Sequence, residues 1–364
     1  MLLDEGQIPR HALPAAALPA IRRLGLIYVS DQQPGLSRQR SGDAFVYHDA
    51  AGRRVRAKAT LERIRKLAIP PAYTDVWICA DARGHLQATG RDARGRKQYR
   101  YHADWRTLRD AAKYDRLAAF ADRLPALRAQ VRADLALDGL PRRKVIAALV
   151  RLLQQSLIRV GNEEYSRNNG SYGLTTLRNR HVRVRGEKLQ FDFRGKSGKF
   201  HSVKIDDARL ARIVRQCQDL PGQRLFQFRA EDGSIQNIAS EDVNDYIREF
   251  AGADFSAKDF RTWAGTLLTA RALSAAQAAE PGERKARIVA AIAEVAARLG
   301  NTPSVCRKCY IHPAVLDAYA AGTLSLPKAP RSQAISGLSA QERSLRRLLR
   351  IDEKQRRATA AKTH

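Results

Sequence analysis

Tyr310 closes the stretch Leu299-Gly300-Asn301-Thr302-Pro303-Ser304-Val305-Cys306-Arg307-Lys308-Cys309-Tyr310. Upstream, in chain order, come Arg159 at the end of a helical pattern, Lys196 on a hairpin turn, and Arg261 in Lys258-Asp259-Phe260-Arg261. Cations converging on a phenol suit one chemistry well, attack of the phenolic oxygen on a phosphodiester. A free phenol titrates near about 10, so it needs a positive field to attack at neutral pH. The non-bridging oxygens gain charge in the transition state, and the planar fork of arginine matches them bidentately. The leaving 5′-oxygen needs a proton, which a lysine in a strong positive field can give. A neutral donor such as Asn301 can complete the cage.

Each of these residues also has a plain structural reading. A cation at a helix end such as Arg159 complements the dipole. Turn lysines such as Lys196 are commonly solvated, and Arg261 on an amphipathic helix can pair with neighbouring acids. Tyr310 can be a core aromatic, and Asn301 a turn residue after a helix-ending glycine. The pair Cys306-Arg307-Lys308-Cys309 has zinc or redox spacing. No second pair lies nearby, because Cys79 and Cys217 are distant in sequence, and two small buried residues are the simpler reading. Histidines and acids never gather at ligand spacing, which argues against a two-metal nuclease. The absence of a glycine-rich phosphate loop argues against ATP use. No cofactor is expected.

Lys and Arg total 65 against 37 acids in 364 residues, a formal charge of +28. So large a charge repels itself. A polyanion that trades counterions for basic side chains is its natural complement, although a merely soluble basic protein or a membrane-surface binder has the same balance. No apolar run approaches the ~20 residues that cross a bilayer. Pro14 and Pro19 interrupt the apolar patch over 12–21, and Asp4 and Glu5 precede it where a leader carries positive charge. The expected location is cytoplasmic, associated with the nucleoid. Four cysteines are too few for a disulfide scaffold.

The elements that must position these groups follow a mixed pattern. Residues 1–106 read as β-rich, with short strands at 45–47, 55–57, 76–80 and 86–89 and one helix over 60–67 capped by Thr60. Residues 90–102 are basic and aromatic together, a composition that can read base edges while its cations hold phosphates. Helical spacing follows over 108–124, 127–137 and 142–159. A three-strand meander occupies 182–184, 189–193 and 200–205, with Lys196 on its second turn. Helical patterns resume over 208–217, 240–250, 257–273 and 284–299; Gly300 stops the last, and Thr302-Pro303 starts another. Residues 327–364 form a basic, partly helical tail, read either as salt-sensitive DNA affinity or as a solvated terminus. The expected fold is α+β: a β-rich domain over 1–106, a mainly helical catalytic domain with a small antiparallel sheet over 107–326, and the tail.

The ordered wording is more specific than any single residue. Arg159-Val160-Gly161-Asn162-Glu163-Glu164-Tyr165, the run Gly173-Leu174-Thr175-Thr176-Leu177-Arg178-Asn179-Arg180-His181, Phe193-Arg194-Gly195-Lys196, Lys258-Asp259-Phe260-Arg261-Thr262 and Gly300-Asn301-Thr302-Pro303 with Tyr310 resemble type IB DNA topoisomerases, in the poxvirus-like and bacterial branch. Arg94-Gly95-Arg96-Lys97-Gln98-Tyr99-Arg100-Tyr101 fits as well. The resemblance implies relaxation of supercoiled duplex DNA, gripped between two lobes, without ATP or metal. Tyr310 would form a 3′-phosphotyrosyl link, and Arg159 and Arg261 would hold the scissile phosphate. Lys196 would protonate the 5′-oxygen, with Lys258 in the proton relay and Lys199 the alternative hairpin lysine. Tyr165 would contact phosphate, and Arg96, Gln98, Tyr99 and Tyr101 would contact DNA from the N-terminal domain. Viral members carry histidine where this chain has Asn301; an amide can donate one hydrogen bond to the phosphate but carries no charge. One chain holds the whole set, so a monomer suffices. Two rivals remain, a tyrosine site-specific recombinase and a non-catalytic basic architectural DNA-binding protein.

Overall fold

The computed structural model describes residues 21–93, 95–106, 114, 116–163, 166–167, 170–252, 255–275, 280–327 and 337–362. Contacts divide the chain into two compact units, Met1–Tyr114 and Asp115–His364.

In the first unit, β1 (Leu36–Ser41), β2 (Ala44–His48), β3 (Thr74–Ile78), β4 (Leu86–Arg91) and β5 (Lys97–Tyr101) form an antiparallel sheet of order β2-β1-β3-β4-β5. Helix α1 (Lys58–Lys66) buries Ile64 among Leu36, Val76, Ile78 and Ala88 of the sheet. It starts after Ala57, not at Thr60, and no side chain caps it. The anticipated 55–57 strand does not form; the chain there makes only a lone bridge of Arg54 with His48 and a bond from the Val55 amide to Tyr47 O at 2.8 Å. On β4 the side chains of Leu86, Gln87, Ala88 and Thr89 are all buried, as expected for a strand inside the sheet. A second small core surrounds His85, whose ring stacks on Tyr28 at 4.6 Å and meets Trp105 edge-on at 5.5 Å. His85 Nδ1 accepts the Val29 amide at 3.1 Å.

The second unit is mainly helical. Helix α2 (Leu117–Leu135) runs unbroken through Pro125, where the sequence pattern had divided it in two. Proline removes one backbone donor and crowds the carbonyl a turn earlier. The burial of Phe120, Ala121, Leu124 and Leu127 around it outweighs that cost. Helix α3 (Arg142–Ser156) is almost wholly apolar on its inner face and ends at Leu157, a left-handed residue with φ 57°. Arg159 therefore lies beyond the helix, not at its end. The meander is present as β6 (Val182–Arg185), β7 (Lys188–Arg194) and β8 (Phe200–Asp206), in that order across the sheet. Asp207 caps α4 (Ala208–Gln218) by accepting the Leu210 amide. A short hairpin, β9 (Gln227–Arg229) with β10 (Ile235–Asn237), was not anticipated.

Helices α5 (Ser240–Ala251), α6 (Ala257–Ala275), α7 (Pro281–Leu299), α8 (Pro303–Tyr310) and α9 (Pro313–Ala320) complete the core. Gly300 ends α7 with φ 62°, and Thr302 caps α8 with Pro303 at its first position, both as the sequence indicates. Residues read as a tail include α10 (Ala340–Lys362). Its Leu345 and Leu349 are fully buried, in the same core as α2 and α6. Both the five-stranded sheet and the helical unit with its three-stranded sheet match the expected α+β class. Among the described residues no helix is long and apolar enough to cross a membrane, and no three His, Cys, Asp or Glu side chains group as a metal site.

Candidate active site

Arg159 sits in a loop that a second loop holds by its backbone. Leu174 N donates to Arg159 O at 2.9 Å, and Thr175 N to Val160 O at 2.7 Å. The two chains touch at glycines: a Cβ on Gly173 would lie 2.5 Å from Gly161 Cα and 2.7 Å from Arg159 O. The Gly173-Leu174-Thr175-Thr176 wording thus serves to place Arg159. Its Nη2 donates to Asn301 Oδ1 at 2.7 Å, which joins this loop to the turn after α7. Asn301 Nδ2 reaches Leu299 O at 3.4 Å.

Arg261, on α6, is 4% exposed. Its Nη1 donates to Leu157 O and its Nη2 to Leu299 O, the latter at 2.7 Å. Leu157 ends α3 and Leu299 ends α7. Terminal helix carbonyls lack intrahelical partners and carry the negative end of the dipole, so one guanidinium joins the ends of two helices. Burial, then the adjacent Arg159 charge, lower its pKa to about 10, while Tyr310 pulls the other way through charge and a side-chain hydrogen bond. The Arg261 guanidinium lies 5.1 Å from the centre of the Tyr310 ring.

Tyr310 ends α8 and is half-buried. Thr266 Oγ1, one turn along α6 from Thr262, donates to Thr262 O at 2.8 Å and accepts the His312 amide at 3.1 Å. It also lies 3.3 Å from Tyr310 O. Gly265 lets α6 approach this closely, since a Cβ there would meet Tyr310 O at 2.6 Å. Neither Gly265 nor Thr266 carried a signal in the sequence. Cys306, on the same helix as Tyr310, is fully buried, and burial pushes its thiol up to about 11. Of the pair read as small buried residues, Cys306 is buried and Cys309 only half-buried.

Lys196 and Lys199 are both exposed on the β7–β8 turn. Ser197 between them is left-handed, with φ 64°. Lys258 is exposed in the first turn of α6, one turn before Arg261. Arg159, Arg261, Asn301 and Tyr310 are thus brought together, while the lysines stand exposed. His201 on β8, absent from the sequence reading, has Arg159, Arg261 and Lys199 as electrostatic neighbours.

In the first unit, strand parity divides the residues expected to contact DNA. Tyr99 and Tyr101 share one face of β5, their rings stacked at 6.1 Å, and Tyr99 is 49% exposed. Tyr101 packs partly into the core around Trp105. Gln98 alternates to the other face, where it and Arg96 both bond Asp92, at 2.9 and 2.8 Å. Tyr165 lies outside the described residues.

Residues 102–330 match the family described as eukaryotic DNA topoisomerase I, catalytic core, and residues 44–92 match bacterial DNA topoisomerase IB, N-terminal domain. A DNA topoisomerase 1B of Acanthamoeba polyphaga mimivirus is 34% identical over 293 residues, covering 78% of this chain and 87% of that protein. The DNA topoisomerase 1B of vaccinia virus (strain Western Reserve) and the DNA topoisomerase I of monkeypox virus are each 22% identical over 264 residues, covering 70% of this chain and 81% of theirs. By the extent of these matches, the chain belongs to the type IB DNA topoisomerase family.

Proposed function

We propose that this protein relaxes supercoiled duplex DNA by cutting and resealing one strand through Tyr310. One observation carries the reading: the Tyr310 ring lies against the Arg261 guanidinium, 5.1 Å away, beside an Arg159 oriented by Asn301 at 2.7 Å. Tyr310 Oη forms a bond to phosphorus as the bond from phosphorus to the 5′-oxygen breaks. The phenolic proton leaves to solvent, and Lys196 gives a proton to the 5′-oxygen, with Lys258 reprotonating it. Arg159 and Arg261 neutralise the non-bridging oxygens, and Asn301 offers its amide. Loss of one such donor typically costs about 10²–10³ in rate.

The bond energy stays in the phosphotyrosine, so resealing needs neither ATP nor metal. A single chain suffices. DNA contact from the first unit falls best to Tyr99, exposed beside Lys97, whose ammonium sits 5.7 Å over its ring.

The deciding assay incubates supercoiled plasmid in EDTA with the parent protein and with Tyr310→Phe. Relaxation by the parent alone, with a covalent protein–DNA adduct trapped by denaturant, is the expected result. Equal rates would end the assignment. An absolute need for paired recognition sites would point to a recombinase, and binding without any adduct to an architectural protein.

A further inference from the structure

His201 takes no part in the reaction as just described, yet it touches two of its turns. Its ring stacks on Phe193 at 5.2 Å with the planes 12° apart. One ring edge faces Gly195, where an added Cβ would lie 2.5 Å from Cδ2; another faces Gly300, where it would lie 2.4 Å from Cε1. Lys196 follows the first glycine and Asn301 the second. Gly300 needs glycine for its φ of 62° as well. Gly195 does not, because its φ of −98° is open to any residue. Contact with the imidazole alone explains its missing side chain.

The two turns are anchored unequally. The Asn301 turn is tied to Arg159, and through Leu299 to Arg261. The Lys196 turn bonds only itself among the described residues, Gly195 N to Lys199 O at 2.8 Å and Gly198 N to Gly195 O at 3.1 Å. The imidazole therefore fills the gap between a fixed cage and the Lys196 turn, whose β7 flank is held at Arg194 O by the Tyr172 amide at 2.8 Å while the turn itself bonds nothing beyond its own residues among the described ones.

We propose that His201 is a positioning residue: its ring sets the spacing between the Lys196 turn and the Arg159–Asn301–Arg261 cage, and so holds the proton donor at the leaving oxygen. This rests on the reading of Lys196 as that donor. The ring acts by shape, as a neutral spacer. Burial, then Arg159, Arg261 and Lys199, all hold its pKa below the usual histidine value.

The test is single-turnover cleavage by the intact protein of two duplexes, one normal and one with sulfur in place of the 5′ leaving oxygen. Sulfur needs no proton to leave, so a misplaced donor slows only the oxygen substrate. A displacement near 1 Å costs about 10²-fold. His201→Ala is expected to slow the oxygen duplex about 10–100-fold and the sulfur duplex less than about 3-fold. His201→Phe, which keeps the ring and its stack on Phe193, should restore the oxygen rate to within about 3-fold. In a Lys196→Ala background, His201→Ala should add no further loss.

Equal slowing of both duplexes would overturn the proposal, as would no slowing of either. Failure of the phenylalanine to restore the rate would show that the imidazole acts chemically, which also overturns it. If His201→Ala does not fold, Gly195→Ala pushes the same turn away from the other side and must show the same split between substrates. Lys196→Ala alone separates the two ideas: if sulfur does not rescue it, the general-acid reading fails, whatever His201 does.

Discussion

Replacing Gly265 with alanine adds one methyl group to α6, directly beneath Tyr310. The backbone there is ordinary helix, so the substitution by itself favours the helix by about 1 kcal/mol. The new Cβ, however, would stand 2.6 Å from Tyr310 O, 3.1 Å from Tyr310 Cβ and 3.3 Å from Leu299 Cδ1. The first neighbour is backbone and cannot rotate away. An ordinary contact needs roughly 3.4 Å or more, so α8 must back off by roughly 0.8 Å, carrying the phenol with it. Such overpacking costs about 1–3 kcal/mol, which the helix preference partly offsets. Net destabilisation should stay below about 2 kcal/mol, leaving the fold intact. The reaction is less tolerant, because a shift of this size at a nucleophile costs about 10²-fold in rate. Single-turnover formation of the covalent adduct on a duplex should fall about 30- to 100-fold, while DNA affinity by filter binding stays unchanged. A rate within about 2-fold of the parent would refute the claim that this contact places the nucleophile.

Arg261→Lys should lose stability as well as rate: one ammonium cannot serve Leu157 O, Leu299 O and Tyr310 together, and a buried carbonyl left unpaired costs about 1–3 kcal/mol. A thermal midpoint equal to the parent's would contradict the joined helix ends. Glu342 is 6% exposed; burial pushes its carboxyl up, but the Arg128 hydrogen bond and charge, the Ser339 amide and the Trp263 indole bring it down from 4.5 to about 2. A carboxyl depressed in the fold stabilises above its unfolded value and loses that contribution as pH falls from 4.5 towards 2. Glu342→Gln should therefore lower stability at pH 7 by on the order of 3 kcal/mol, with the gap to the parent closing near pH 2 in urea titrations; a constant gap would disprove it. Burial lowers His85 from 6.5 to about 4. The unfolded chain binds its proton first, so the first unit should lose stability from pH 6.5 down to about 4 and be unaffected above. His85→Gln should flatten that slope, and an unchanged slope would mean another group is responsible.

Motif wording picked out residues that meet in the fold better than periodicity located the elements. Arg159, Arg261, Asn301 and Tyr310 meet although no local pattern requires it: apart from the Arg159–Asn301 bond, the contacts that place the two arginines are to backbone atoms, Leu157 O, Leu299 O and Leu174 N. Carbonyls have no letter in a sequence, which is why Arg159 read as a helix end when Leu157 had already turned the chain. Strand β1, Leu-Ser-Arg-Gln-Arg-Ser, was missed because it is polar along nearly its whole length. It is held by pairing with β2 and β3, not by apolar alternation. Pro125 misled in the opposite sense, since tertiary burial overrode a local breaker. Gln98, Tyr99 and Tyr101 were grouped as neighbours in sequence, but a strand's two-residue period sends the first to the other face. Gly265 was silent, and Gly195 spoke only as part of a motif, because nothing in a lone glycine says which atom it makes room for.

Glu342 lies beyond residue 330, where the match to the catalytic core stops. Its carboxylate nonetheless receives two nitrogens of Arg128 at 3.1 and 2.7 Å and the indole of Trp263 at 3.3 Å, and Trp263 stands two residues after Arg261. Trimming the protein back to the shared length would leave the Arg128 guanidinium and the Trp263 indole without this carboxylate, the first on α2 and the second on the same helix as Arg261. The C-terminal segment is thus a keystone for the helical unit, and its removal would be felt as a folding defect.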